Sequence, residues 1–139
     1  MNEAISESAS PLKGIADRLF ALLQLVFFPA FLLFIFGFSI KLTGAYTCIM
    51  DVVEQDTRVT AAIGEPVTPG FFAWTTSYEG GFGHSTGHFY TFVSGPQGRG
   101  RIEASFGSST LYDLLINIKF KIHGRETELY RGAYECSSE

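Results

Sequence analysis

The stretch VSGPQGRG, Val93 to Gly100, joins two segments with alternating apolar side chains and so predicts the centre of a β-sheet. Pro96 restricts φ to the value that a first turn position requires, and we expect Gly95 and Gly98 to adopt positive φ. A glycine-rich loop that binds phosphate opens a helix and is completed by a lysine, and neither follows Gly100. The stretch therefore predicts a hairpin turn and no bound nucleotide.

On both sides of this turn the side chains alternate with the period of two that is typical of half-buried strands. The two segments are His88–Ser94 before the turn and Arg99–Phe106 after it. The face that we expect to be buried carries Phe89, Thr91, Val93, Ile102, Ala104 and Phe106.

Further strands extend the pattern in both directions along the chain. Phe71–Tyr78 is aromatic and threonine-rich, and we expect the glycine-laden Glu79–Gly87 to be a loop. Leu111–Ile122 predicts the longest strand, and after a turn at 123–125 the polar Glu126–Tyr130 predicts an edge strand. The sequence thus predicts a mainly antiparallel sheet of about five strands.

One segment before the sheet has helical character. Cys48–Ile63 places its apolar residues on one face, Gly64 occupies a C-cap position, and Pro66 prevents the helix from continuing. A sheet with one solvated face needs a cover on the other, which this helix supplies. The predicted fold class is α+β, with one helix packed on the sheet.

A long apolar run precedes this domain. From Leu19 to Ile40 the sequence contains no charged residue, and a helix of that length spans roughly 33 Å, which matches the hydrocarbon core of a bilayer. A cleaved signal peptide and a buried core helix are the alternatives. The run exceeds a signal core in length, and the remaining chain is too short to surround it. We therefore predict a single transmembrane helix at residues 19–41.

The distribution of charged residues on the two sides of this helix predicts its orientation in the membrane and the location of the rest of the chain. Lys13 and Arg18 precede the span, and acidic residues follow it, which favours a cytoplasmic N-terminus. We expect residues 1–18 to be a disordered cytoplasmic tail and residues 48–135 to form the exoplasmic domain. The tail is not arginine-rich, so a bacterial inner membrane with a periplasmic domain is the expected location.

The two cysteines of the chain, Cys48 and Cys136, bracket the domain. In an oxidising compartment they can form a disulfide that ties the end of the domain to its first helix. The alternative is two separate thiols, which is the state we expect.

The sequence predicts binding rather than catalysis. No serine lies in a nucleophile elbow or triad pattern, and no motif pairs two carboxylates. A domain with more acidic than basic residues is an improbable partner for nucleic acid. The residues that we select as partner-binding are Trp74 in an aromatic segment and Arg99 and Arg101 on one face of a strand. No cofactor is predicted.

His84 and His88 are the candidates for metal binding. Two histidines four residues apart share a face on a helix, but the surrounding sequence, GGFGHSTGHFY, is too glycine-rich for one. A flexible loop can still hold copper or zinc. A small metal- or haem-handling envelope protein is therefore the alternative function.

In the predicted order, a membrane helix is followed by a helix ending in IGEPV (Ile63 to Val67), an aromatic strand, VSGPQGRG, a strand pair and a hairpin closed by HGRE. This order resembles the cytochrome c oxidase complex assembly protein family, which is related to the small single-pass subunit of the presequence translocase. The resemblance covers roughly residues 20 to 130. Relatives often carry a tryptophan near the start of the long strand, where this chain has Leu111 and Tyr112.

The resemblance implies a non-enzymatic factor that holds membrane-protein partners together while a respiratory complex is built. The membrane helix would anchor it in the lipid bilayer. No catalytic residue is carried over from the family. Its motif positions correspond to structural turn residues, which are Gly64, Pro66, Gly95, Pro96, Gly98 and Gly100.

Overall fold

The computed structural model describes residues 11–109 and 112–134. The predicted fold class is confirmed: an apolar N-terminal helix leads into two short helices and a five-stranded antiparallel sheet. The helices are α1 (Pro11–Gly37), α2 (Gly44–Gln55) and α3 (Thr57–Ile63), with a 3₁₀ turn at Ser39–Leu42. The strands are β1 (Thr68–Gly81), β2 (His84–Gly95), β3 (Gly98–Ser109), β4 (Tyr112–Ile122) and β5 (Arg125–Ala133).

Helix α1 is long and apolar enough, between Gly14 and Gly37, to cross a membrane. Every side chain from Gly14 to Phe36 is exposed. The helix begins at Pro11. Proline has no backbone N–H, but the N–H of the first helical residue has no hydrogen-bond partner within the helix, so proline is well suited to this position. The prediction of a disordered tail is therefore wrong for residues 11–18, and residues 1–10 lie outside the described part. The chain divides into two compact units, one ending at Leu33 and one beginning at Phe34.

Asp56 divides the helix that the sequence predicted at 48–63. Its backbone is extended, with φ −75° and ψ 118°, and its carboxylate accepts a hydrogen bond from the main-chain N–H of Arg58. An aspartate in this position caps the start of a new helix. The single predicted helix is therefore wrong, and α2 and α3 replace it.

The pH dependence of stability tests this cap. The Arg58 guanidinium hydrogen-bonds the Asp56 carboxylate at 2.7 Å and holds its pKa below the ordinary range. A lowered pKa stabilises the fold above the unfolded-state value of about 3.9, and this contribution is lost as the pH falls through the lower folded-state pKa. We expect Asp56→Asn to unfold at lower urea than the parent at pH 7. The gap should close in acid, and a gap that stayed constant with pH would contradict the ionic role.

The sheet is a meander in which each strand pairs with the next, in the order β1-β2-β3-β4-β5. The predicted loop at Glu79–Gly87 is wrong, because β1 and β2 continue to a turn at Phe82 and Gly83. Gly87 lies within β2, and a Cβ there would lie 2.7 Å from Cζ of Phe106. Lack of a side chain at this position makes room for a core aromatic ring.

The turn at VSGPQGRG is present, but its glycines serve another purpose than the predicted one. Positive φ occurs at Gly64, Gly83, Gly124 and Gly132, and neither Gly95 nor Gly98 is among them. Gly95 is required for close approach instead. A Cβ on Gly95 would lie 2.3 Å from the carbonyl oxygen of Ile63, at the end of α3.

The hydrophobic core lies between one face of the sheet and the two short helices. Ile49, Val53, Val59 and Ile63 face inward from α2 and α3 and are fully buried. The sheet contributes Ala73, Phe89, Thr91, Val93, Ile102, Ala104, Phe106, Ile116, Ile118 and Phe120. The alternation predicted for the inner face of β2 and β3 is therefore confirmed.

Tyr46 brings a phenol into this core. Burial raises its pKa, and the neighbouring Thr91 hydroxyl opposes the effect only in part. Thr91 donates instead to the carbonyl of Phe72 at 2.9 Å, and the Tyr46 hydroxyl has no hydrogen-bond partner among the described residues. The ring itself packs on Phe89, with centroids 5.4 Å apart.

We expect Tyr46→Phe to raise the free energy of unfolding by about 1 kcal/mol, because it removes a buried polar group that has no partner and keeps the ring. The measurement is the thermal midpoint of the full chain in detergent. A lower midpoint would mean that the hydroxyl makes a stabilising bond in solution.

Cys48, on the inward side of α2, is buried and disulfide-bonded. The prediction of separate thiols is therefore wrong for this residue. The other cysteine of the chain, Cys136, lies outside the described residues. Disulfides persist in oxidising compartments, so this bond bears on the location of the domain.

Basic side chains from the helical layer reach the two outer strands of the sheet. Lys41 donates from Nζ to the carbonyls of Gly70 and Phe71 in β1, at 2.9 and 3.2 Å. Arg58 donates from Nη1 and Nη2 to the carbonyls of Glu128 and Leu129 in β5, at 2.9 and 2.6 Å. These hydrogen bonds connect the helical layer to both edge strands of the sheet, β1 and β5.

Candidate partner-binding site

The sheet face that is turned away from α2 and α3 carries an open groove of about 530 Å³, which we call the aromatic–basic groove. Trp74, Arg99 and Arg101, the three residues that the sequence singled out for partner binding, all line it. Trp74 belongs to β1, whereas Arg99 and Arg101 belong to β3, so the sheet brings them together.

The aromatic wall of the groove is built by β1 and β2. The rings of Phe72 and Trp74 lie 5.2 Å apart, and Phe71 meets Phe72 edge to face at 4.9 Å. Gly37, in the last turn of α1, supports this wall from behind, because a Cβ there would lie 2.8 Å from Cδ1 of Phe72. Phe92 extends the apolar surface into β2 and is half exposed.

The basic wall is built by β3 and β4. Arg101 stacks its guanidinium over the ring of Tyr90, 4.2 Å from the centroid, and pairs with Glu103 at 2.7 Å. Lys121 bridges Glu103 and Glu126 at 2.8 and 3.0 Å, and these carboxylates raise the pKa of its ammonium. The ion pairs and the stacking hold both side chains in fixed positions.

Arg99 differs from its two basic neighbours. It is exposed, and among residues 11–109 and 112–134 it makes no ion pair. An unpaired guanidinium beside an aromatic wall offers a planar donor set for a carboxylate, and its stem can pack on the rings. Arg99 is therefore the residue in the groove with charge available for a ligand.

A second, more polar groove of about 390 Å³ adjoins the first and shares Arg101 with it. Nε of Arg101 and Oδ1 of Asn117 are buried and have no hydrogen-bond partner within the described part of the chain. A buried polar atom without a partner costs free energy that a bound polar group can recover. Together the grooves offer aromatic, cationic and hydrogen-bonding surface on one face.

The six turn-motif residues lie away from this chemistry, with one exception. Gly64 and Gly95 meet where α3 ends against the β2–β3 turn, and a Cβ on Gly64 would lie 3.0 Å from Cγ of Pro96. Pro66 follows a cis peptide bond, and Gly98 has open space around it. Gly100 lines the groove on one side and faces Phe120 on the other. The two motifs that carry the family resemblance are thus in contact.

The two histidines do not form a common site. His84 and His88 lie in β2 and not in a loop, four residues apart on an extended strand, which separates them by about 13 Å. Zinc ligands lie about 2 Å from the metal, so two histidines this far apart along a strand do not form a preformed site for one ion. Among the described residues, no group of three or more His, Cys, Asp or Glu side chains is arranged to hold a metal.

Sequence analysis did not select the groove residues Phe92 and Lys121 because their proximity depends on register. Phe92 pairs with Arg101, and Arg101 pairs with Lys121, which creates one row across three strands. Alternation places both side chains on the outer face but does not show that they are neighbours. The lengths of the two hairpin turns could have predicted this row, since the length of a turn fixes the register of the strands it joins.

No family model, curated protein or solved structure matches this chain, so the functional argument is carried by the groove and the membrane helix.

Proposed function

We propose that this chain is a membrane-anchored, non-enzymatic docking module that holds a protein partner in the aromatic–basic groove. The observation that carries the proposal is the convergence of Trp74, Arg99 and Arg101 on one sheet face. Aromatic and arginine side chains dominate the binding energy of protein interfaces, and here they line a preformed concave surface.

The anchor in this proposal is α1, with its N-terminus in the cytoplasm and the sheet domain in the periplasm of a bacterial inner membrane. The length and hydropathy of the helix support membrane insertion. Lys13 and Arg18, which precede the charge-free run from Leu19 to Ile40, support the orientation. The disulfide at Cys48 supports an oxidising compartment for the domain.

The partner in this proposal is a membrane-protein subunit of a respiratory complex of the cytochrome oxidase type, with the chain acting as an assembly or accessory factor. The motif order shared with the oxidase assembly family supports this class of partner. The unpaired Arg99 supports a carboxylate on the partner segment that enters the groove.

A pull-down of the full chain from mild detergent, followed by mass spectrometry, tests the proposal. We expect respiratory subunits to be recovered with the parent chain and to be reduced at least tenfold with Arg99→Glu, because the reversed charge repels the partner carboxylate. Arg125→Glu is the matched control, since Arg125 is exposed and lies outside the groove lining.

Two outcomes would contradict the proposal. Recovery of the chain without any respiratory subunit would refute this class of partner. Equal recovery with Arg99→Glu and with the Arg125→Glu control would refute the groove as the docking surface, even if the partner class is right.

A further inference from the structure

Strand β1 lies against the point where the apolar run of α1 ends. The last turn of α1 belongs to the same compact unit as the sheet, and Gly37 contacts Phe72 of β1. The next residue, Phe38, places its ring 5.9 Å from that of Phe71. A spanning helix leaves the hydrocarbon near the end of its apolar run, so β1 lies at the level of the membrane interface.

The large exposed apolar side chains of the domain concentrate on the β1–β2 hairpin. After Leu42, five such side chains are exposed in the described part of the chain, and four of them belong to this hairpin. They are Phe71, Tyr78, Phe82 and Phe92, and the fifth is Leu115 of β4. Phe82, in the two-residue turn, is completely exposed at 111%.

Three of these aromatic residues lie on β1 or in the turn that follows it, away from the basic wall on β3 and β4, and Phe71 is also part of the aromatic wall of the groove. Phe71 and Tyr78 belong to the outermost strand, and Phe82 ends the hairpin. Ile35 and Phe36 of α1 lie beside Tyr78 in a shared recess. We define Phe71, Tyr78 and Phe82 as the hairpin surface.

We propose that the hairpin surface rests in the headgroup region of the membrane leaflet from which α1 emerges. Aromatic rings are favoured at this depth, where one side is apolar and the other is hydrated. An apolar ring in a turn is unfavourable in water, and membrane contact removes it from water without another protein. The inference rests on the proposed function only in that α1 spans the membrane.

Lipid is favoured over a protein as the occupant because the hairpin surface is continuous with the end of the spanning helix. Phe71 contacts Phe38, Tyr78 lies beside Phe36, and each of these partners directly precedes or follows Gly37. A domain anchored this way has its outer strand at the membrane surface whether or not a partner is bound.

Quenching of a single tryptophan by brominated lipid tests this inference. The full chain is reconstituted in phosphatidylcholine vesicles with bromine at a shallow or a deep acyl position, in a Trp74→Phe background. Phe82→Trp reports on the hairpin tip. Leu115→Trp is the control, because Leu115 is an exposed apolar residue at 53% and lies three strands away from β1.

We expect shallow bromine to reduce the emission of Phe82→Trp at least twofold, and more than deep bromine does. Leu115→Trp should keep its emission and should be quenched by aqueous iodide. Strong iodide quenching and weak bromine quenching at both positions would overturn the inference. So would iodide quenching at position 82 that only an added protein partner relieves.

Two further measurements keep the result interpretable. Resistance of the reconstituted chain to alkaline extraction reports insertion of α1, so failure of the anchor is distinguished from failure of the hairpin contact. The parent chain with its native Trp74 provides a second readout that needs no new tryptophan. Its bromine quenching should fall when Phe82→Ser, Phe71→Ser and Tyr78→Ser are combined, and unchanged quenching would also overturn the inference.

Discussion

Gly95→Ala is expected to lower the free energy of unfolding by about 3 kcal/mol. The added Cβ would lie 2.3 Å from the carbonyl oxygen of Ile63 and 2.5 Å from that of Gly64. Both are main-chain atoms at the end of α3, so no side-chain rotation relieves the clash. Moving the turn away would also break the hydrogen bond from the Gln97 N–H to the Ile63 carbonyl, which is 2.8 Å long.

Gly98→Ala is the matched control for this prediction. Gly98 is the other glycine of the same turn, it does not have positive φ, and a Cβ there would meet nothing within 4 Å. We expect its free energy of unfolding to stay within about 0.5 kcal/mol of the parent. Urea unfolding of the full chain in detergent, followed by Trp74 fluorescence, measures both variants. Equal losses in free energy of unfolding for the two variants would contradict the role of contact with α3. They would show that the glycines instead provide flexibility in the turn.

Gly100→Ala is expected to cost about 2 kcal/mol by a different route. Its Cβ would lie 2.1 Å from Cε2 and 2.7 Å from Cζ of Phe120, a ring that is almost completely buried in the core. Here the obstacle is a side chain, so the core can adjust in part by shifting the ring. The cost should therefore be smaller than at Gly95 and should depend on what occupies position 120.

The double variant Gly100→Ala with Phe120→Leu tests this dependence. Phe120→Leu alone is expected to cost about 1 kcal/mol because it leaves unfilled volume beside Gly100. In the double variant the new methyl group occupies part of that volume. The loss in free energy of unfolding of the double variant should therefore be about 1 kcal/mol smaller than the sum of the losses of the two single variants. Strict additivity in the urea unfolding energies would contradict direct contact between the two positions.

The predictions that succeeded are those that depend on local alternation. Ile102 and Phe106 are buried where the period of two placed them, and Phe92 is exposed on the opposite face. Gly64 is the C-cap of α3 and has positive φ, 83°, although its ψ of 166° lies outside the left-handed helical region that such a cap usually adopts. Such features depend on only a few neighbouring residues, so they can be predicted from a single sequence.

Several predictions failed because the features depend on contacts between distant segments. An aspartate such as Asp56 can be an exposed helix residue or a cap, and only the packing of α2 and α3 on the sheet decides between them. Glycines in a row favour a loop unless the space above them is filled, as Phe106 fills it at Gly87. Likewise, Trp74 and Arg101 were selected one by one, and strand register alone places them in one groove.

The bonds from Lys41 and Arg58 to the outer strands restrict how other molecules can join the sheet. An incoming extended peptide needs free carbonyls along an edge to become a sixth strand, and at Gly70, Phe71, Glu128 and Leu129 a cation already occupies them. Copies of the chain are therefore protected at these positions from pairing edge to edge. A molecule that binds at these four positions has to recognise side chains, because the carbonyls there already accept hydrogen bonds from Lys41 and Arg58.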